Sequence, residues 1–140
     1  MVHALERARQ VWLPTSTLVL IQPHKTKRPL VAIKSGRRRQ PIARLVHPAF
    51  PPLINAAMSA IGTVIDDRRF SHLGTSHHQF RVQLEDPADL RRYVHLYQRP
   101  PRLTAGGRQL LNDLWRTRTA GAQIEVTEFF TVIGLRRREG

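Results

Sequence analysis

The sequence predicts an α/β fold built on a small three-stranded sheet with four or five helices. Three segments, 17–21, 77–84 and 124–135, have the apolar pattern of strands, and segments with helical spacing of apolar residues separate them. The chain has 140 residues, 41% of them hydrophobic, which fits one globular domain spanning 1–140. Neither an internal repeat nor a glycine–serine linker marks a boundary inside it.

The first predicted element is a short amphipathic helix. Leu5, Ala8 and Trp12 recur at three- and four-residue spacing, with charged residues on the other side. Pro14 ends this helix, because proline lacks an amide hydrogen and disfavours the helical conformation in the residue before it. The next segment, 17–21, is apolar on both strand faces, so we expect a strand covered on both sides.

Residues 22–52 are expected to be irregular, because prolines interrupt them repeatedly and basic residues are concentrated there. Within this region, 30–33 and 42–46 are predicted to form short helical turns. A helix of about four turns is predicted over 53–66, where apolar residues recur at helical spacing and the preceding prolines suit a helix start.

The second half of the chain alternates strand and helix patterns. The segment 77–84 alternates apolar and polar residues, as in a strand with one buried face. The segment 86–98 is a helix that Asp86 caps, and 104–118 is a further helix. The segment 124–135 is apolar on both faces and is predicted to lie at the centre of the sheet.

The charge of the chain is strongly positive and unevenly distributed. There are 23 Lys and Arg residues against 10 Asp and Glu, for a net charge of +13. Residues 1–50 carry ten basic residues and a single acidic one, Glu6. Such an excess favours contact with nucleic acid, an anionic membrane or a phosphorylated ligand. Arginine enrichment can also be a compositional habit of the source genome.

Several classes of protein are excluded or disfavoured by absent residues and motifs. The chain has no cysteine, which excludes disulfides, thiolate metal sites and a cysteine nucleophile. Neither a glycine-rich phosphate-binding pattern nor a G-x-S-x-G nucleophile elbow occurs. The apolar run 18–21 is too short to cross a membrane, and no signal peptide is recognisable, so we expect a cytoplasmic protein without membrane contact.

Seven histidines raise the question of a metal site. His77 and His78 are adjacent on a predicted strand and therefore point to opposite faces, so they cannot bind one ion together. We predict no metal site. His24 and His47 lie in the basic region, where each is either a ligand contact or a structural histidine.

The basic region offers a candidate nucleic-acid interface. Three consecutive arginines, 37–39, could hold phosphates, although a solvated loop explains them as well. On this interpretation, an RNA- or DNA-binding module would use Lys25, Lys27, Arg28, Lys34, Arg37, Arg38 and Arg39.

One segment near the N-terminus indicates a particular protein family more specifically than these patterns do. His3–Val11, followed by Trp12-Leu13-Pro14-Thr15-Ser16 and the apolar run into Gln22-Pro23-His24, resembles the helix, Pro-Gly-Gly turn and fifth strand of class I S-adenosylmethionine-dependent methyltransferases. Thr15 and Ser16 stand where that family has the turn glycines. The later elements agree in order, with 77–84 similar to the sixth strand and 124–135 similar to the final strand, which inserts antiparallel between the fifth and sixth.

The resemblance implies a mixed three-stranded sheet equivalent to the C-terminal half of that Rossmann-like fold. The glycine-rich turn and acidic residue that hold the cofactor lie in the missing half. It therefore implies a truncated or split methyltransferase component, inactive alone, that binds S-adenosylmethionine only if a partner supplies that half. Substrate contacts are expected from Gln22, His24 and His47, at the end where open α/β sheets bind ligands.

An isolated fifth strand would leave an unpaired edge. In the family, the fourth strand covers this edge, so the segment 18–21 would expose backbone groups and apolar side chains here. Exposed edges of this kind favour pairing with another chain. We therefore expect a homodimer, or a second polypeptide, joined at the edge of 18–21.

Overall fold

The computed structural model describes residues 2–11, 13 and 15–138. Within that part of the chain it contains four helices and a six-stranded open sheet. The helices are α1 Val2–Val11, α2 Phe50–Asp66, α3 Pro87–Val94 and α4 Gly107–Arg116. The strands are β1 Thr17–Pro23, β2 Leu30–Ser35, β3 Arg38–Val46, β4 Phe70–Leu84, β5 Arg102–Leu103 and β6 Gln123–Arg137.

The predicted α/β class is confirmed, whereas the predicted three-stranded mixed sheet is wrong. The sheet order is β1-β6-β2-β3-β5, and β4 pairs with β6 outside this path. Every strand pair with a defined register is antiparallel. The central position predicted for the last strand is confirmed, because β6 pairs with three other strands.

The two helical turns expected at 30–33 and 42–46 are also wrong, because these residues belong to the β2–β3 hairpin. Pro41 misled the sequence interpretation, since proline is unusual in a strand. Pro41 is tolerated here because β3 is paired on only one side at this point, with β2. On its other side β3 pairs with β5, but only through Leu45 and Val46. The register also shifts beside Pro41, between Val31 and Ala32.

The remaining elements differ from expectation mainly at their ends. The helix predicted from residue 53 begins at Phe50, with prolines in its first turn. The helix expected to reach residue 98 ends at Val94, although Asp86 caps it as predicted, its carboxylate accepting the amide hydrogen of Asp89 at 2.8 Å. Trp12 and Pro14, which were expected to complete and end the first helix, lie outside the described residues.

The chain divides into two compact units. Unit 1 comprises 1–25, 49–78 and 130–140, and unit 2 comprises 26–48 and 79–129. In unit 1, β1 pairs with the C-terminal part of β6. Its core combines α1, α2 and the strands through the buried residues Leu5, Ile61, Val64, Phe70, Ile133 and Leu135.

Unit 2 has its own core on one side of its strands. Strand β2 lies between β3 and the N-terminal part of β6. Leu90 of α3 and Leu111 of α4 pack with the inward-facing strand residues. Those strand residues are Val31, Ile33, Leu45, Ile124 and Val126.

Candidate functional site

The part of β6 that belongs to unit 2, residues 123–129, presents two chemically different faces. Ile124 and Val126 are completely buried in the core beneath α3 and α4. Because successive strand residues point to opposite faces, Glu125, Thr127 and Phe129 project to the other face. On the face away from α3 and α4, β6 therefore presents the carboxylate of Glu125, the hydroxyl of Thr127 and the ring of Phe129.

Glu125 holds two arginines on this face. Its side chain is 1% exposed and accepts hydrogen bonds from Arg39, at Oε1 from Nε and at Oε2 from Nη2, the latter at 3.2 Å. Arg81 of β4 adds its Nε 3.9 Å from Oε1. The side chains of Arg39 and Arg81 remain 38% and 44% exposed. A single buried carboxylate thus orients two arginines that still reach solvent, leaving one positive charge in excess.

Phe129 holds two more cations. The Nζ atom of Lys27 lies 5.6 Å from the centre of the ring, and Cζ of Arg44 lies 5.9 Å from it. Both distances are within the range of cation–π attraction. Arg44 also donates from Nη1 to the backbone oxygen of Arg28 at 2.8 Å. The ring therefore orients both cations, and the hydrogen bond orients Arg44 further.

The β2–β3 hairpin extends the same positive surface. Lys34 and Arg39 are directly opposed across the hairpin and so share a face. Gly36, which adopts a φ of +58°, and Arg37 form the exposed turn, and Arg38 is the first residue of β3, directly opposite Ser35. We call the sheet surface of Lys27, Lys34, Arg39, Arg44, Arg81 and Phe129 the basic face.

Part of the predicted nucleic-acid set meets here. Lys27, Lys34 and Arg39 lie on the basic face, Arg37 lies in its hairpin turn, and Arg38 begins β3 on the face opposite to Arg39. Arg28 contributes a backbone acceptor to Arg44, and Lys25 belongs to unit 1.

Three contributors were missed from the sequence: Arg44, Arg81 and Phe129. The alternation of side chains between the two faces of a strand would have identified Arg44 if 38–46 had been predicted to be a strand. Arg81 already lay on the polar side of a predicted strand. Its approach to Glu125, 44 residues away in sequence, depends on strand pairing and left no local signal.

The predicted substrate residues are distributed over both units. Gln22 and His24 belong to unit 1, at the end of β1, and His47 belongs to unit 2. Gln22 donates to the sulfur of Met58 on α2 at 2.7 Å. The ring of His24 lies 4.8 Å from that of His77. His47 is buried, with 7% exposure. Their proposed role in substrate binding stays a prediction.

The histidines on β4 make different contacts on its two sides. His77 hydrogen-bonds through Nδ1 with the Thr131 hydroxyl at 3.1 Å, and the ring of His78 stacks on Phe130 at 5.4 Å. Among residues 2–11, 13 and 15–138, no group of three potential His, Cys, Asp or Glu ligands is close enough to hold a metal ion.

A second polar cluster lies on the helix-covered side of unit 2. The Tyr93 hydroxyl donates to Glu128 at 2.6 Å, and that of Tyr97 donates to the same oxygen at 3.3 Å. Burial, followed by the hydrogen bond to the Glu128 carboxylate, raises the pKa of Tyr93 well above its ordinary value. Burial and the negative charge of Glu128 raise the pKa of Tyr97 as well. Both tyrosines therefore stay neutral and join α3 and the segment after it to β6.

Within the described part of the chain, every helix is too short or too polar to span a bilayer. Comparison of the chain with protein-family models, with curated proteins and with solved structures found no match to any of them.

Proposed function

We propose that the protein is a binding module for single-stranded nucleic acid and that the phosphates contact the basic face of unit 2. The observation that carries this proposal is the set of solvent-reaching cations that Glu125 and Phe129 orient on one sheet face. Phosphate contacts of Lys and Arg release counterions and provide affinity that does not depend on base sequence.

The shape of the basic face favours a single strand over a duplex. A β-ribbon can enter the major groove of DNA only if it projects from the protein. Here β2 pairs on both sides, with β3 and with β6, so most of the hairpin is part of a broad sheet. An extended strand can lie across such a surface, as it does on other sheet-based RNA-binding modules.

Glu125 has a positioning role in this proposal. A carboxylate on a phosphate-binding surface would normally repel the ligand. Because Glu125 is buried beneath Arg39 and Arg81, its charge is neutralised and the arginines present their remaining N–H groups outward. Phe129 fulfils a similar role for Lys27 and Arg44.

The proposal is tested by measuring the affinity for a 12-nucleotide single-stranded RNA and its DNA equivalent at several salt concentrations. With three to five phosphate contacts, the slope of log K against log salt is expected between about −2 and −3.5. Binding that does not weaken with salt, or a preference for the duplex of the same sequence, would contradict the proposal.

A matched pair of variants locates the site. Lys34→Gln with Arg37→Gln removes two charges from the basic face and its turn, and Arg99→Gln with Arg116→Gln removes two exposed charges elsewhere. The first pair is expected to make the salt slope shallower by about 1.4, and the second to leave it unchanged. Equal losses in both would show that only the net charge matters.

A second candidate is the methyltransferase-like partial domain, and one observation favours it. Strand β6 pairs antiparallel with β1 and also pairs with β4. That arrangement agrees with the expectation that the last strand inserts between the counterparts of the fifth and sixth strands. Calorimetry with S-adenosylmethionine and the isolated chain is expected to detect no binding, because the glycine-rich turn with which that family holds its cofactor does not occur in this sequence.

The expected partner at β1 is tested separately. Within the described residues, β1 pairs only with β6, and Val19 and Ile21 are 57% and 69% exposed. If a second copy pairs here, light scattering coupled to size-exclusion chromatography should detect a dimer. Ile21→Lys should convert it to a monomer, because charged edge residues oppose strand pairing. A wild-type monomer at every concentration would rule out the homodimer.

A further inference from the structure

Unit 2 contains a half-open cleft of about 950 Å³, bounded by α3, α4 and the segment 100–106. Its floor is apolar and includes the buried side chains of Leu45, Leu90 and Leu111. The volume is at the upper end of the range of about 300–1,000 Å³ that is usual for small-molecule sites. An apolar ligand of moderate size therefore fits within it.

The rim of the cleft is cationic. Arg91, Arg102 and Arg108 line it and are exposed, and none of the described lining residues is acidic. Among the described residues, no carboxylate lies within 4.0 Å of these three guanidinium groups. This contrasts with Arg39 and Arg92, whose charges are matched by Glu125 and Asp89.

One wall of the cleft is held firmly in place. At Gly107, an added Cβ atom would come within 2.6 Å of Cβ of Ala43 and 3.2 Å of that of Leu103, so only glycine allows α4 to approach β3 this closely. Thr104 also exchanges two hydrogen bonds with the backbone of Arg44, at 2.9 and 3.2 Å. These contacts keep the cleft formed before any ligand enters, which lowers the cost of binding.

His95 adds a polar group at the rim. Its Nδ1 donates to the backbone oxygen of Arg91 at 2.7 Å, so Nε2 is the nitrogen left to meet a ligand. Nε2 accepts a hydrogen bond when the ring is neutral and donates one when it is protonated.

We propose that this cleft binds an amphipathic organic anion, with its hydrocarbon body on the leucine floor and its carboxylate or phosphate group at Arg91, Arg102 and Arg108. The apolar floor supplies the gain from burying hydrocarbon, and the unmatched arginines supply the complementary charge. The site lies on the helix-covered side of unit 2 and does not depend on the basic face.

The test uses four probes below their micelle-forming concentrations: decanoate, decyl phosphate, decyltrimethylammonium and inorganic phosphate. Binding to the full chain is followed by calorimetry and by NMR shifts of residues around the cleft. Decanoate or decyl phosphate is expected to bind at least tenfold more tightly than decyltrimethylammonium or inorganic phosphate. The ratio of the two anions identifies the preferred head group. Equal binding of the cationic probe, or no binding of either anion, would overturn the proposal.

Two double variants locate the site. Arg102→Gln with Arg108→Gln is expected to weaken binding of the anionic probe at least tenfold, and Arg99→Gln with Arg116→Gln is expected to leave it unchanged. All four positions are exposed, so circular dichroism should show that both variants fold. Equal affinity in the two variants would refute the assignment. Saturating single-stranded RNA should not displace the probe, which separates this site from the proposed nucleic-acid surface.

Discussion

The two faces of the unit 2 sheet belong to the same strands but differ in the side chains they present and in what those side chains contact. On the helix-covered face, Ile124 and Val126 are completely buried against α3 and α4. On the basic face, Glu125 is almost as deeply buried, yet arginines from β3 and β4 cover it. Burial on the first face removes hydrocarbon from water, whereas burial on the second places a charge where it can orient other charges.

This difference shows that exposure alone does not identify the functional side of a sheet. Glu125 is 1% exposed and Ile124 is fully buried, so both would be assigned to the core by burial. Their partners distinguish them: Ile124 contacts other apolar side chains, and Glu125 contacts guanidinium groups. The stability of unit 2 should therefore respond differently to changes on each face.

The largest effect is expected on the helix-covered face. Ile124→Ala should lower the free energy of unfolding by about 2–5 kcal/mol, because it removes buried methyl groups and leaves a cavity. Urea denaturation measures this loss. Leu96→Ala is the control, since Leu96 is 82% exposed and its truncation should change stability little. A loss below 1 kcal/mol for Ile124→Ala would mean that this face is not the core.

An intermediate effect is expected on the basic face. Arg39→Gln should lower the free energy of unfolding by about 1–3 kcal/mol, because the buried Glu125 carboxylate then keeps only the longer ion pair with Arg81. Adding Glu125→Gln should restore most of the loss, since no charge remains to be compensated. A double-mutant cycle by urea denaturation measures the coupling. Additive effects of the two changes would show that the pair does not interact in solution.

A smaller effect is expected where α3 begins. Asp86→Ala removes the acceptor for the amide hydrogen of Asp89, which should cost about 1 kcal/mol of stability. Asp86→Ser is the matched control, because a serine hydroxyl can still accept this hydrogen bond. If both variants have the same thermal midpoint as the wild type, the cap contributes nothing to the attachment of α3.

The smallest effect appears only at alkaline pH. Tyr93 and Tyr97 are the two tyrosines of the chain, and both have a raised pKa in the folded state. Above the ordinary tyrosine pKa of about 10, the unfolded chain releases protons that the folded chain retains. The free energy of unfolding should therefore begin to fall as pH approaches 10, by at most about 0.4 kcal/mol per tyrosine at pH 10.

Tyr93→Phe isolates this contribution, because it removes one titrating hydroxyl from the pair. Its stability should decline less between pH 9 and about 11 than that of the wild type. Absorbance of the tyrosinate band, measured against pH in native and denatured protein, gives the two titration curves directly. Superimposed curves would show that neither the burial of the two tyrosines nor their hydrogen bonds to Glu128 are maintained.

The outcome of the sequence interpretation can be traced to particular segments. The helix over 53–66 and the strand over 124–135 were recognised because their apolar periodicity is long and uninterrupted. The hairpin of β2 and β3 was missed because Pro41 interrupts it and its arginines resemble a loop. Pro41 is compatible with a strand only because β3 pairs with a single neighbouring strand, β2, at this position. The periodicity of one segment does not show which strands will pair with it.

The sequence predicted only those residues of the candidate site that lie close together along the chain. Lys27, Lys34 and Arg39 were identified as members of a basic cluster, which composition alone reveals. Arg81 and Phe129 come from distant parts of the chain and join that cluster only through the pairing of β4 and β6 and through the contact with Lys27.

The amino-acid sequence by itself determined the α/β class, the positive charge and most of the helices, because these depend on composition and on periodicity along a single segment. Only the tertiary structure decided that the sheet formed by the described residues has six strands, that Glu125 is buried under two arginines, and that α3, α4 and the segment 100–106 enclose a cationic cleft. Each of these features requires residues far apart in sequence to meet. Their meeting is governed by strand register and helix packing, which cooperate over the whole unit.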